Sequence, residues 1–248
     1  MTSRIQSLVY GFTLPLLAAK LIASKPKLLL WSLLPASITL FAYRYAIVKI
    51  QDFFKGMLTH YVTQWGYSPD SWWMWVLQGL TQILLLLVGA LTFSFVAGII
   101  SSPFNDFLAE NAEEFAEPQL PSVPQTSFGT KVRLIGIDLA KTLVSGSVMF
   151  FAILLSWVPI LNFFAFVLTF LLITFQYISY PQTRRGVGVK TGLGFLWSHL
   201  YACGSFGFIL SVLFTIPILS ALFLPVAVVG GTLLYARAQR GAGSFQLK

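Results

Sequence analysis

The chain has 248 residues, of which 56% are hydrophobic and only 10% charged, and its mean hydropathy is +0.79; a soluble domain carries about 25% charged residues. That composition excludes a water-soluble globular fold and specifies an integral membrane protein. Lipid satisfies no backbone polar group and no run shows the strict alternation of a barrel strand, so one all-α membrane domain over residues 1–248 is expected.

Residues 5–24 make the first predicted element. Arg4 ahead of an apolar stretch looks like a signal peptide, but Gly11, Pro15 and Lys20 break the run and no small-residue cleavage site follows. A retained, interfacial helix is expected instead. The runs 28–43 and 72–100 hold almost no ionisable side chains, and roughly 20 apolar residues suffice to cross the hydrocarbon. They predict two long transmembrane helices over 28–50 and 72–100.

Residues 102–117 then hold Asp106, Glu110, Glu113, Glu114 and Glu117, five of the eight acids. Ser102 followed by Pro103 is a helix-start signal, and acids are favoured in a first turn by the helix dipole. Phe104, Phe107, Leu108 and Phe115 form an apolar stripe at helical spacing, which predicts an amphipathic acidic helix at the membrane surface. A solvated acidic face on a juxtamembrane helix accounts for the same pattern. Pro118, Pro121 and Pro124 end the helix in an extended linker, 118–130.

Two near-identical phrases follow, "VPILNFF" at 158–164 and "IPILSALF" at 216–223. A proline removes a backbone donor and clashes with the preceding turn, so Pro159 and Pro217 mark bends. No charge lies between Lys141 and Arg184 or between Lys190 and Arg237, so neither bend has the polar loop of a turn in bulk water. The limb 142–158 has 17 residues, about 26 Å of helix against about 30 Å of hydrocarbon. Two Pro-bent hairpins that penetrate only part of the bilayer, 131–180 and 190–236, fit these lengths; two ordinary transmembrane pairs with tight turns are the alternative.

Inside the hairpins Ser145, Ser147, Ser156, Asn162, Thr169, Thr174, Ser198, His199, Ser205, Ser211 and Thr215 are suited to interhelical hydrogen bonding, and Gly204, Gly207, Gly230 and Gly231 to close packing. The lone cysteine, Cys203, forms no intramolecular disulfide. No carboxylate pairs with a lysine there, which argues against an ion-coupled pump. There is no nucleophile elbow and no metal-ligand spacing, and His60 and His199 stand alone. No enzyme, catalytic residue, metal or cofactor is expected.

Orientation follows from the basic residues. With one crossing in each long run and both hairpins returning to their own side, 13 lysines and arginines share one side, and Arg44, Lys49 and Lys55 lie on the other. The positive-inside rule puts the 13, with both termini, in the cytoplasm. The net charge of +8 therefore reflects topology and gives no support to a nucleic-acid partner.

Three stretches carry a family likeness: "SPFNDFLAE" at 102–110, "FQYISYP" at 175–181 and "FTIPILSALFLPVAVVGGTLLY" at 214–235. Together they resemble the bacterial sulfate-permease family of CysZ, grouped with the etoposide-induced membrane proteins, with order and spacing kept from the "LLP" at 33–35 to Tyr235. The resemblance implies sulfate uptake across the inner membrane for cysteine synthesis without ATP, and a fold pairing two long transmembrane helices with partly penetrating hairpins. One departure concerns the ligand. The family's Gly-Leu-Arg motif, often with a second Arg, is associated with sulfate binding, and its arginine positions fall on Leu29 and Leu30.

What remains near that place is "SKPK" at 24–27. Two ammonium groups stand at a proline-initiated helix start whose backbone donors lack partners, a suitable anion site on general grounds, although lysine lacks the planar fork of arginine. Interfacial snorkelling accounts equally for Lys25 and Lys27. Ser24, Lys25 and Lys27 with Asn105 are the candidate anion-binding residues. Glu110, Arg184 and Arg185 are the candidate gate or charge-pairing residues, the arginines lying beside Gly186 and Gly188 without a comparable frame. Two function classes stay open: a passive or channel-like permease for sulfate or a related oxyanion, and a non-transporting scaffold of the same fold. The expected partners are the anion, the lipid bilayer and further copies of the chain.

Overall fold

The computed structural model describes residues 2–64, 72–116 and 128–239. Glu117, the prolines at 118, 121 and 124, and the tail residues Arg240 and Lys248 lie outside the described residues. Among the described residues the regular elements are eight helices: α1 Thr2–Ser24, α2 Pro26–Gln64, α3 Trp72–Glu113, α4 Phe128–Leu155, α5 Pro159–Arg184, α6 Val189–Ser198, α7 Leu200–Phe214 and α8 Pro217–Ala238. Six of them are long and apolar enough to cross a membrane, or seven spans if the bent pair α6 and α7 counts as one.

The core lies where α1, α5, α7 and α8 meet, around Phe175, Phe206, Leu210 and Val228. Tyr10, Leu14, Ala18 and Ile22 give α1 a buried stripe at helical spacing, while Ile5 and Leu16 on the other side are exposed. The segment expected at an interface is thus also a core-packing element. Glycine permits the close approaches. A Cβ on Gly11 would run into the Ala202 carbonyl and Ser205 hydroxyl of α7, one on Gly207 into the Phe170 carbonyl of α5, and one on Gly231 into the Tyr177 backbone. Gly204, in contrast, faces open space.

The two long helices α2 and α3 contain 39 and 42 residues, about 58 and 63 Å, and pack against each other. The Tyr43 hydroxyl ties them together by donating to the Gly89 carbonyl, and it lies 2.7 Å from the Thr92 hydroxyl. The acidic segment expected as a separate helix at 102–117 is instead the end of α3, whose backbone stays helical through Pro103. Leu108, Ala109 and Ala112 continue a buried stripe toward α5 and α8. Tertiary packing therefore outweighs the local start signal. The last residues of the expected linker, from Phe128 onward, already belong to α4.

The repeated Pro-Ile-Leu phrase has a repeated geometry. Val158 (φ −100°, ψ 117°) and Ile216 (φ −97°, ψ 116°) are both extended N-caps, and each following proline opens the returning helix. A residue before proline is pushed out of the helical region, and proline itself suits a first helical position. The second hairpin has a feature its sequence did not announce: α6 and α7 meet at 96° around His199.

The tight glycine contacts lead to a stability prediction. Gly207→Ala drives a methyl group into the α5 backbone and is expected to cost about 1–3 kcal/mol, seen as a lower thermal midpoint in detergent. Gly204→Ala, with nothing to meet, leaves the midpoint unchanged or raises it. Equal midpoints for the two variants would contradict the packing described here.

Candidate functional site

The predicted residues gather at one end of the bundle, where the α1–α2 junction and the last turn of α5 face the last turns of α3. At the junction, Pro26 opens α2 and the Leu29 N–H donates to the Lys25 carbonyl at 3.0 Å. The Ser24 hydroxyl turns back into α1 and donates to the Leu21 carbonyl at 2.9 Å. The two lysines are engaged by the end of α3. Lys27 Nζ lies 3.0 and 3.2 Å from the carboxylate oxygens of Glu114, and Lys25 Nζ sits 4.8 Å from the Phe115 ring centroid. Trp31 stacks on Phe107 with centroids 5.1 Å apart, holding α2 against the same segment.

The arginines are the more deeply set cations. Arg185 makes a two-pronged pair with Glu113, Nη1 to Oε1 at 3.0 Å and Nη2 to Oε2 at 2.7 Å, and also donates to the Pro181 carbonyl at 2.9 Å. Arg184 lies 3.1 Å from Glu110 and 3.7 Å from Glu113. The Arg185 and Glu113 side chains are only 13% and 12% exposed, whereas Lys27 and Glu114 are 53% and 55% exposed. This depth separates a latch from a surface pair: exposed ion pairs are worth about 0–1 kcal/mol, while stripping one partner from a buried pair costs about 3–5 kcal/mol.

The arginines do have a frame, and it begins at Gly186. That residue is left-handed (φ 69°), the Gly186 N–H donates to the Thr183 carbonyl at 2.8 Å and the Val187 N–H to the Gln182 carbonyl at 3.0 Å. This pair of bonds is a Schellman ending, and it fixes the turn that carries Arg184 and Arg185. A glycine directly after two arginines at a helix end is the signal that announces it in the sequence.

Asn105 is buried, 4% exposed, and its Nδ2 donates to the Tyr180 hydroxyl at 3.3 Å. It is therefore set against α5, apart from the lysine contacts. Glu110 pairs with Arg184, and the carboxylate on Lys27 belongs to Glu114. Asp106 keeps part of its surface open, yet desolvation by the packed protein holds its carboxyl above the ordinary carboxylate range, against the pull of Arg184. Leu29 and Leu30 are exposed and line an apolar groove on α2 with Pro26, Leu33, Leu34 and Phe41. Glu113, Glu114 and Tyr180 are the partners that sequence reasoning left out of the site. Among the described residues no group of His, Cys, Asp or Glu is placed to hold a metal ion.

Residues 14–225 match the family model described as Sulfate transporter CysZ/Etoposide-induced protein 2.4. The chain is similar to the Sulfate transporter CysZ of Pseudomonas syringae pv. tomato, 30% identical over 249 residues that cover 92% of each chain. It is likewise similar to that of Pseudomonas paraeruginosa, 29% identical with 87% of this chain and 90% of the relative covered. A third relative, the Sulfate transporter CysZ of Pectobacterium atrosepticum, is 29% identical with 80% and 73% covered.

The depth difference between the ion pairs is open to measurement. Glu113→Gln leaves two buried guanidinium groups short of their shared carboxylate and is expected to destabilise the protein by about 3–5 kcal/mol, with a large drop in thermal midpoint in detergent. Glu114→Gln should cost no more than about 1 kcal/mol. If the two variants melt alike, the arginine cluster is not a latch.

Proposed function

The chain belongs to the family of the sulfate transporter CysZ and etoposide-induced protein 2.4, and from that premise we propose that it is a sulfate permease of a bacterial inner membrane. In this reading it passes sulfate or a related oxyanion inward along a channel-like route without ATP, supplying cysteine synthesis. The observation that carries the reading is the convergence of Lys25, Lys27, Arg184 and Arg185 on the last turns of α3. A doubly charged anion leaving water needs counter-charge and donors, and here four cations stand together, of which Lys27 has an exposed carboxylate as an exchangeable partner. Sulfate takes the place of Glu114 on Lys27, since an exposed pair is weak enough to open. Ser24, Lys25 and Lys27 form the entrance, Asn105 supplies uncharged donors behind it, and Glu110 with Arg184 and Arg185 forms the gate.

In the bilayer, α2 and α3 are the long transmembrane helices and both hairpins are partly penetrating. Two lengths support this. The charge-free part of α4 after Lys141, residues 142–155, has 14 residues and α7 has 15, about 21 and 22 Å against about 30 Å of hydrocarbon. Both termini and the 118–130 linker lie in the cytoplasm, in keeping with 13 basic residues against three. The exposed leucines at 29 and 30, where the family's arginine motif falls, favour a second reading: a non-transporting scaffold of the same fold.

Sulfate flux into liposomes that contain only this purified protein separates the two readings. The parent should carry sulfate. Each charge-assisted hydrogen bond is worth about 1.5–3 kcal/mol, so Lys25→Gln with Lys27→Gln should cut flux about tenfold or more while leaving the thermal midpoint in place. A double variant as fast as the parent moves the entrance elsewhere, and a parent that carries no sulfate leaves the scaffold reading standing. For the topology, reporter fusions after Lys248 and within 118–130 should both report cytoplasm; a periplasmic signal from either overturns the orientation.

A further inference from the structure

One buried cation has no part in the entrance or the gate. Lys141, on α4, is 2% exposed. Its Nζ donates to Gln182 Oε1 at 3.3 Å and Thr183 Oγ1 at 3.1 Å and lies 5.8 Å from the Phe175 ring centroid. All three partners are neutral, and among the described residues Lys141 makes no ion pair. A buried charge without a counter-charge costs several kcal/mol. Such a group is retained at that cost where something charged comes to meet it.

The space for it is present. A cleft of about 410 Å³ runs between α4 and α5 beside Lys141, lined by Asp138, Thr142, Ser145, Gln176, Ser179 and Tyr180. At about 30 Å³ per water, it has room for a tetrahedral anion with several waters. Tyr180, which accepts from Asn105, joins the cleft to the end of α3 where the entrance residues lie. Among the described residues Asp138 is the one acid in the lining, and it is exposed. It stands three residues before Lys141, within reach on a helix face, and repels an anion held beside it, which favours passage over tight retention.

We propose that this cleft is a second oxyanion site, in which a doubly charged tetrahedral anion takes its counter-charge from Lys141 and its hydrogen bonds from Thr142, Ser145, Tyr180 and the Gln176 amide. The choice of sulfate rests on the permease reading, whereas the site itself rests on the buried ammonium and the cleft. Its occupant is a free anion, although a lipid phosphate headgroup offers similar chemistry.

Two measurements on the full chain test it: sulfate flux in liposomes, and the rise in thermal midpoint that sulfate produces in detergent. Lys141→Gln should lose the sulfate-induced rise and slow flux about tenfold or more, the ~1.4 kcal/mol of one charged contact, while its midpoint without sulfate stays level or climbs. Lys141→Arg should keep part of both. Ser145→Leu, which fills the cleft and leaves the ammonium alone, should mimic Lys141→Gln and serves in its place if the glutamine variant fails to fold. If both variants bind and carry sulfate like the parent, the site assignment is wrong. If the parent carries no sulfate, the permease reading fails alone: a midpoint rise abolished by Lys141→Gln still supports the site, and an equal or absent rise in parent and variant overturns it. A rise given by phosphatidylglycerol but not by sulfate, and lost in Lys141→Gln, makes the occupant a lipid headgroup and removes the free-anion assignment.

Discussion

The paired contact between Arg185 and Glu113 holds the basic end of the molecule together. Glu110, Glu113 and Glu114 sit at or just beyond the last turn of a 42-residue helix, where the dipole disfavours negative charge. Left alone, they would weaken the end of α3. The guanidinium groups of Arg184 and Arg185, carried in by the last turn of α5 and fixed by Gly186, supply the missing counter-charge. The same carboxylates neutralise two arginines whose side chains are only 16% and 13% exposed. Each side thus removes the other's cost, and α3, α5 and the α1–α2 junction are brought into one register.

The features legible in the sequence are those that depend on composition or on backbone chemistry. An apolar chain with few charges specifies helices, and the Pro-Ile-Leu phrases specify where two of them begin, because proline constrains both itself and the residue before it. The matching angles at Val158 and Ile216 follow directly from that constraint. Features that depend on what lies across the bundle were not legible. Ser102 and Pro103 carry the marks of a helix start, yet Leu108, Ala109 and Ala112 have a buried surface to continue along, and the helix runs on. His199 sits at a 96° bend with neither proline nor glycine beside it in the sequence.

The residues of the candidate site were legible in part for the same reason. Lys25, Lys27, Glu110, Arg184 and Arg185 stand out as charges in an apolar chain, and the structure brings them to one end. Their pairing needed coordinates: one turn of helix separates Glu110 from both Glu113 and Glu114, and only the packing of α3 decides which of these acids meets which cation. Lys141 reads in the sequence as one more topology marker. Its burial and its neutral partners arise from α5 folding back on α4, a contact between residues 41 and 42 positions apart.

Taken together, the cations fall into three classes by how firmly each is held, and the classes suggest a division of labour for an anion that must both bind and leave. Arg185, paired twice and almost closed off, cannot trade Glu113 for a ligand at low cost, so within the proposed gate it is suited to the fixed side. Lys27, in an exposed pair, exchanges partners readily and is suited to first contact. Lys141 hydrogen-bonds only neutral groups among the described residues, so an arriving anion displaces no bound carboxylate and meets a charge that Asp138 offsets only from a distance. Conduction requires sites that are favourable to enter and weak enough to leave. In the proposed permease, the exposed pair of Lys27 and Glu114 followed by a buried lysine with an acid three residues away meets that requirement.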